Sequence, residues 1–291
     1  MGRFWKSKIF IITFLSIIIS GCATQDANLE KHTIQVTKQQ EVSNMQYSSE
    51  FSSVRNDFLS STGLDYEVFD NLQIQEGRIV SYDFTYYDYD KDSGSYIANP
   101  RWMCSLRELK SDESVLVVID PWSDSPFSEI NDIVSAHVDE YLLPAVEHAI
   151  ECGIDIYIFT NDPETVSYTT KIVDPLQKLV DNGEAKLCYY TDYEDSSVFT
   201  KELSAAGKKN IIYAGYSTHL CLLYRTTGVL GIYYNETYPQ FNLYIIPEAT
   251  MAYVIEDDEI NVNMRNDICI MLSQQGIASI ITYDDFIEYK E

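Results

Sequence analysis

Residues 210–221 read Asn-Ile-Ile-Tyr-Ala-Gly-Tyr-Ser-Thr-His-Leu-Cys, an apolar run followed by a short polar segment that ends in a cysteine. It begins with an apolar run, 210–214, that is typical of a buried strand, and residues 222–227 after it indicate the start of a helix. Cys221 therefore lies where a strand turns into a helix, beside unpaired amide N–H groups and the positive end of the helix dipole. These features lower a thiol's pKa and can hold an oxyanion, so the sequence predicts a nucleophilic cysteine. A small core residue is the alternative interpretation.

A second apolar run, residues 115–119, ends on Asp120. Apolar runs alternate with helical patterns from about residue 113 onward, which is typical of a parallel sheet covered by helices on both faces. Further strands are predicted at 154–160, 185–190, 210–214, 242–246 and 277–281, with helices at 134–152, 165–180, 196–206 and from near 221 and near 258. The sequence thus predicts an α/β fold with a three-layer, doubly wound, mainly parallel six-stranded sheet of Rossmann-like type. Ligands of such sheets bind at the carboxyl ends of the strands, where Asp120 and Cys221 both lie.

The order of these motifs resembles that of the isochorismatase-like cysteine hydrolases. In that family an Asp ends the first strand, and a Gly-x-x-Thr-x-x-Cys motif follows the fourth. Asp120, Gly215, Thr218 and Cys221 match those positions. The resemblance covers residues 113–291 and implies the family's fold, together with hydrolysis of a C–N bond in a small amide, carbamoyl or related compound.

The resemblance also implies a role for each matching residue. Cys221 attacks a carbonyl carbon, while Asp120 takes the thiol proton and later gives one to the leaving group. Backbone N–H groups around Leu220 and Cys221 hold the oxyanion, and the peptide bond between Tyr216 and Ser217 is cis. For Asp120, a capping or turn residue at a strand end is the alternative.

Three more residues are candidates for the substrate pocket. Trp122 follows the first predicted strand closely, and His219 lies beside the cysteine. Arg225, one helical turn past Cys221, suits either a substrate carboxylate or an ion pair with an acidic neighbour.

The chain departs from the family at the third catalytic position, a Lys in the loop after the third strand. Residues 189–197 contain no Lys, and Lys186 and Lys201 lie on either side. A surface protein that keeps the fold as a binding module, without turnover, is therefore the alternative function. True isochorismatases lack the cysteine, which argues against that reaction. The metal-binding histidines of nicotinamidases have no counterpart at 161–163, so neither a metal nor another cofactor is expected.

The N-terminus predicts export. A positively charged start and the apolar run 9–19 are followed by Ile-Ser-Gly-Cys, which resembles a bacterial lipobox that ends at Cys22. We expect residues 1–21 to be a lipoprotein signal peptide, 22–75 a polar tether and N-terminal extension, and 76–291 the hydrolase domain. The lipid at Cys22 would hold the protein on the cell membrane or outer membrane, facing outside the cytoplasm. An uncleaved signal anchor is the alternative.

Composition limits the partners. The chain has 45 acidic and 20 basic residues, a net charge of −25, and such a surface repels nucleic acid. The expected partners are a small-molecule substrate and, through the lipid, a membrane, and a homo-oligomer is left open. The six cysteines show no metal-site spacing. Residues 78–90 and the turn signal at 91–95 predict a hairpin that leads into the domain.

Overall fold

The computed structural model describes residues 57–66, 76–123, 131–166, 170–235, 240–252 and 258–291. By its contacts the chain divides into residues 1–46 and 47–291, and the described residues all belong to the second unit. The signal peptide and Cys22 lie outside them. Within the described part of the chain, no helix is long and apolar enough to cross a membrane.

The described residues form nine strands and nine α-helices. The strands are β1 Asp65–Tyr66, β2 Arg78–Asp90, β3 Ser95–Glu108, β4 Ser114–Ile119, β5 Asp155–Thr160, β6 Lys186–Tyr189, β7 Asn210–Tyr216, β8 Asn242–Met251 and β9 Ser279–Ile280. The helices are α1 Asp57–Ser61, α2 Asn131–His137, α3 Leu143–Glu151, α4 Asp174–Asp181, α5 Ser196–Ala205, α6 Cys221–Tyr224, α7 Val229–Tyr233, α8 Asp258–Gln274 and α9 Tyr283–Ile287.

Nine strands in the described residues form one sheet, in the order β1-β3-β2-β9-β8-β7-β4-β5-β6. The six strands from β9 to β6 are all parallel to their neighbours, which confirms the predicted mainly parallel α/β sheet. The sheet is larger than the predicted six strands because the hairpin β2–β3 joins it through antiparallel pairing of Tyr82 with Ile280. From β4 the chain first adds β5 and β6 on one side of the sheet and then β7, β8 and β9 on the other side. The switch in strand order therefore falls between β4 and β7.

Helices cover both faces of the sheet and make the three layers. In the fully buried β4, Val115, Val117 and Ile119 enter one apolar core, and Leu116 and Val118 enter the other. This alternation with no polar face is what a central parallel strand requires. The first core lies against α1, α5 and α8, and the second against α2, α3, α4 and α9.

The folded region begins ahead of residue 76, the predicted start of the domain. Phe58 and Leu59 of α1 are fully buried, and β1 pairs with β3 at Asp65 and Tyr66. Residues 57–66 of the predicted tether and extension are therefore part of the domain's core and sheet.

Several predicted helices have different bounds in the structure. Of the helix predicted at 165–180, the described residues show α4, which begins at Asp174 and has Pro175 in its first turn, where a missing N–H costs nothing. The helix predicted at 134–152 is interrupted by a π-helical segment, Val138–Leu142. The helix after the cysteine ends at Tyr224, and Arg225 then has extended backbone angles.

Candidate active site

Two neighbouring parallel strands deliver Asp120 and Cys221 to the same edge of the sheet. Ile119, the last residue of β4, is in register with Gly215 of β7, and the segment that ends at Cys221 follows β7 directly. The close approach requires glycine. Gly215 has a φ of 96°, and a Cβ there would lie 2.3 Å from the carbonyl oxygen of Ile119.

The Asp120 carboxylate is buried and paired with a cation. Its side chain is 2% exposed, and Oδ2 accepts hydrogen bonds from Arg225 Nε at 3.3 Å and Nη2 at 3.1 Å. Of the two roles expected for Arg225, the structure shows the ion pair. The thiol of Cys221 lies close enough to act as a hydrogen-bond donor that lowers the pKa of Asp120. The other carboxylate oxygen, Oδ1, is buried and has no hydrogen-bond partner within full bonding geometry among the described residues.

Tyr190 is a site residue that the sequence did not single out. It follows β6 directly and is 9% exposed, and the Arg225 guanidinium lies over its ring at 4.1 Å from the centroid. Its hydroxyl also lowers the pKa of Asp120. Tyr190 thus opens the loop that follows β6, and the cation beside Asp120 comes from Arg225, which follows Cys221 in the sequence. The signal available in the sequence was its place at the carboxyl end of a strand.

The two lysines nearest that loop do not supply the cation. Lys186 Nζ donates to Glu202 Oε1 at 2.5 Å and to the Tyr193 hydroxyl at 3.3 Å. Lys201 is exposed on α5. Arg225 is therefore the basic side chain that the described structure pairs with Asp120.

Burial sets the protonation state of the pair. It raises the pKa of Asp120 to about 6, even though Arg225 opposes the rise, so the carboxylate is mostly ionised at neutral pH. Burial and the nearby carboxylate both raise the pKa of Cys221. This corrects the lowered thiol pKa expected from a helix N-terminus, because α6 has only four residues and the thiol lies against a buried negative charge. The resting cysteine is a thiol with a base beside it.

The segment between β7 and α6 presents backbone donors to the sulfur. The peptide bond between Tyr216 and Ser217 is cis, as the resemblance implies. The N–H of Ser217 lies near the Cys221 sulfur and lowers its pKa. The N–H of Leu220 is already used, since it donates to the Ser217 carbonyl at 3.1 Å, whereas that of Cys221 donates to no described residue. The donors open to an oxyanion are therefore those of Ser217 and Cys221 rather than Leu220.

Each of the other two pocket candidates lies within hydrogen-bond distance of a neighbouring hydroxyl group. His219 is half-buried, which lowers its pKa, and its Nδ1 lies 2.8 Å from Ser217 Oγ. The indole N–H of Trp122 donates to Thr160 Oγ1 at 2.9 Å, and Trp122 lines a cavity of about 270 Å³ together with Lys171. Among the described residues, no group of three or more His, Cys, Asp or Glu side chains is arranged to hold a metal.

Comparisons with known proteins give structural neighbours alone. No family model matches the chain, and no curated protein matches its sequence. It is similar to a cysteine hydrolase from Pseudomonas syringae pv. phaseolicola, at 10% identity over 62% of this chain and 92% of that one, with a TM-score of 0.47. It is also similar to nicotinamidase from Bacillus subtilis, at 15% identity over 58% of this chain and 99% of that one, with a TM-score of 0.41. A third similar structure is N-carbamoylsarcosine amidase from Thermoplasma acidophilum, at 13% identity over 59% of this chain and 97% of that one, with a TM-score of 0.40. Similarity at this level carries no conclusion about activity, so the function must be argued from the site itself.

Proposed function

We propose that this protein is a cysteine-dependent hydrolase that cleaves the C–N bond of a small amide, carbamoyl or related compound. The observation that carries the proposal is the cluster of Asp120, Cys221 and Arg225 at the carboxyl ends of adjacent parallel strands. A buried carboxylate beside a thiol, with amide N–H groups next to the sulfur, supplies a base, a nucleophile and an oxyanion site.

The reaction follows from the positions of these groups. Asp120 takes the thiol proton as the Cys221 sulfur attacks the carbonyl carbon, and the N–H groups of Ser217 and Cys221 stabilise the oxyanion. The C–N bond then breaks, the leaving nitrogen receives the proton from Asp120, and a thioester remains. Asp120 next takes a proton from water as the water oxygen attacks the thioester. The carbon–sulfur bond breaks, the acid leaves, and the thiol regains its proton.

Arg225 makes Asp120 usable as a base at neutral pH. A buried carboxylate without a cation becomes neutral, because burial disfavours the charged form. The guanidinium at 3.1 Å counteracts this effect and keeps the pKa of Asp120 near 6. In this proposal Arg225 orients and ionises Asp120 and is a positioning residue, and the substrate does not need a carboxylate to occupy it.

The raised pKa of the Cys221 thiol favours a second candidate function. A thiol that stays protonated, in a site without the family's Lys, fits a binding module that holds a small molecule without turning it over. The two functions differ in whether Cys221 reacts.

Turnover of a panel of primary amides and N-carbamoyl compounds, measured as ammonia release by the purified protein, tests the proposal. Cys221→Ala should abolish release because the nucleophile is gone, and Asp120→Asn should reduce it about 10²–10⁴-fold. Cys152→Ala, which alters another half-buried cysteine, is the matched control and should retain activity. Full turnover by Cys221→Ala would overturn the mechanism, and no cleavage of any compound would favour the binding module.

We further propose that the protein is held on a membrane, outside the cytoplasm, by lipid on Cys22. The support is the charged start, the apolar run 9–19 and the lipobox-like Ile-Ser-Gly-Cys. Mass spectrometry of the N-terminus from the native host should find a diacylated or triacylated Cys22. An unmodified chain that still begins at Met1 would refute this anchor.

A further inference from the structure

A cavity of about 570 Å³ lies at the carboxyl end of β8, and neither Asp120 nor Cys221 lines it. Thr250 and Met251 of β8 form its floor, and α2 and α8, which cover opposite faces of the sheet, form its sides. Crevices outside the carboxyl ends of parallel strands are the usual ligand sites of such sheets, and this volume suits a small organic molecule.

Arg265 brings to this cavity a positive charge that forms no salt bridge with another described residue. Its Nε and Nη2 donate to Asn266 Oδ1 at 3.3 and 3.2 Å, and the guanidinium lies 5.9 Å from the centroid of the Phe58 ring. No described carboxylate is within salt-bridge distance of it, although the chain has 45 acidic residues for 20 basic ones. A half-buried guanidinium without a counter-ion is suited to bind a carboxylate from a ligand.

Glu248 brings a buried carboxyl group to the same cavity. It is 6% exposed, and its two oxygens accept hydrogen bonds from the N–H groups of Phe58 at 3.3 Å and Tyr283 at 3.1 Å. These bonds fix the carboxyl group while each oxygen can still accept another donor. Burial raises the pKa of Glu248 to about 7 and Arg265 opposes that rise, so the two groups sense each other, yet they form no ion pair. Because both groups line one cavity without pairing with each other, one ligand can contact both.

The rest of the lining combines polar and apolar side chains. Ser61, His137, Asn261 and a second carboxylate, Glu140, are polar, and Ala136, Tyr141, Met251 and Val262 contribute hydrocarbon or aromatic surface. A ligand that satisfies all of these features carries a negative group, a positive group and an apolar body. Burial of either charge without its partner in the ligand would be unfavourable.

We propose that this cavity binds an α-amino acid with an apolar side chain. Its carboxylate would pair with Arg265, its ammonium group with Glu248, and its side chain would contact the apolar wall. The proposal concerns a site apart from Cys221 and does not depend on that residue being catalytic.

Calorimetry on the full-length wild-type protein tests this with L-leucine, L-methionine and L-phenylalanine as probes. At least one should bind, and analogues that lack one charge should bind at least about tenfold more weakly. For L-leucine these analogues are 4-methylpentanoate, which has no amine, and 3-methylbutylamine, which has no carboxylate. No binding of any amino acid, or equal binding of 4-methylpentanoate, would overturn the proposal without bearing on amide hydrolysis.

Variants locate the site. Arg265→Gln should weaken binding at least about tenfold, because it removes the charged donor. Val262→Phe should weaken binding by filling the cavity while leaving both charges in place. Arg107→Gln removes an exposed arginine that pairs with Asp83 and should have no effect. Unchanged affinity in both Arg265→Gln and Val262→Phe would place the amino acid elsewhere and refute this site.

Discussion

The guanidinium of Arg225 reaches Asp120 because the helix that starts at Cys221 is short. Its last residue is Tyr224, and Arg225 has a φ of −62° and a ψ of 153°, so the chain leaves the helix there. The side chain then lies over the Tyr190 ring, with its Nη2 3.1 Å from Asp120 Oδ2. A stacked guanidinium with two donors on one carboxylate oxygen holds that carboxylate in one orientation.

Replacing Arg225 should change the pH at which Cys221 becomes reactive. The cation lowers the pKa of Asp120, so Arg225→Gln should raise that pKa. Because Asp120 accepts the thiol proton only when ionised, the rise of the Cys221 alkylation rate with pH, centred near 6 in the wild type, should move upward by about 1–3 pH units. Iodoacetamide kinetics between pH 4 and 10 would measure it.

The matched control is Arg107→Gln, which removes an arginine from an exposed pair with Asp83. It should leave the profile unchanged. If Arg225→Gln also kept the wild-type profile, with only a uniform loss of rate, Arg225 would have a structural role rather than one in setting the pKa of Asp120.

The strands of the parallel sheet were predictable because burial on both faces leaves an apolar run. Strands β4, β5 and β7 lie close to their predicted positions, and with them the positions of Asp120 and Cys221. Local pattern does not specify which side chains meet. Tyr190 and Arg225 come from segments on either side of the cysteine, and their contact with Asp120 depends on the order of strands in the sheet. The helix predicted at 165–180 was right in its second half, Asp174–Asp181, but its start was wrong because local periodicity does not fix where a helix begins.

At the scale of elements, the contact between β4 and β7 depends on Gly215. Its φ of 96° and the 2.3 Å approach of an added Cβ to Ile119 O make any side chain strained. Gly215→Ala should lower the free energy of unfolding by about 2–5 kcal/mol, as backbone strain and overpacking add. Urea denaturation measures this loss.

Gly207→Ala separates the two causes. Gly207 has a φ of 75°, but nothing lies within 4 Å of its added Cβ. The Gly207→Ala variant should lose about 1 kcal/mol of unfolding free energy from backbone strain alone. Equal losses in the two variants would show that the strand contact at Gly215 contributes nothing specific.

At the scale of the whole molecule, pairing between distant segments was the hardest feature to predict. The helix α1 precedes the hairpin in sequence, yet Phe58 packs edge-to-face with Trp102 of β3, and Glu248 of β8 accepts its N–H. Nothing in the local composition of residues 57–66 specifies these partners. The hairpin β2–β3 was predicted from its turn signal, but its place beside β9 was not.

Buried Glu248 should make the stability of the protein depend on pH. Burial raises its pKa from 4.5 to about 7, so the folded state holds this proton more tightly than the unfolded state. The stabilisation that this proton gives the folded state is therefore full below pH 4.5 and is lost as pH rises towards 7. The free energy of unfolding falls over this range at a slope on the order of 1 kcal/mol per pH unit. Asp120 acts in the same direction, and His137, whose pKa burial lowers to about 4, acts in the opposite one.

Comparison of variants isolates the Glu248 effect from the others. Glu248→Gln should flatten the fall in unfolding free energy between pH 5 and 7, measured by urea titration at each pH. The exposed Glu147→Gln should follow the wild type. A wild-type slope in Glu248→Gln would mean that another group causes the dependence.

The alkylation rate of individual cysteines at pH 7.5, followed by peptide mass spectrometry, shows whether Asp120 activates Cys221. Cys152 is the internal control, because it is also half-buried and burial raises its pKa too, but Asp120 does not lie beside it. We predict that Cys221 reacts with iodoacetamide much faster than Cys152 and that Asp120→Asn removes the difference. Equal rates in the wild type, or a fast Cys221 in Asp120→Asn, would contradict the claim that Asp120 activates this thiol.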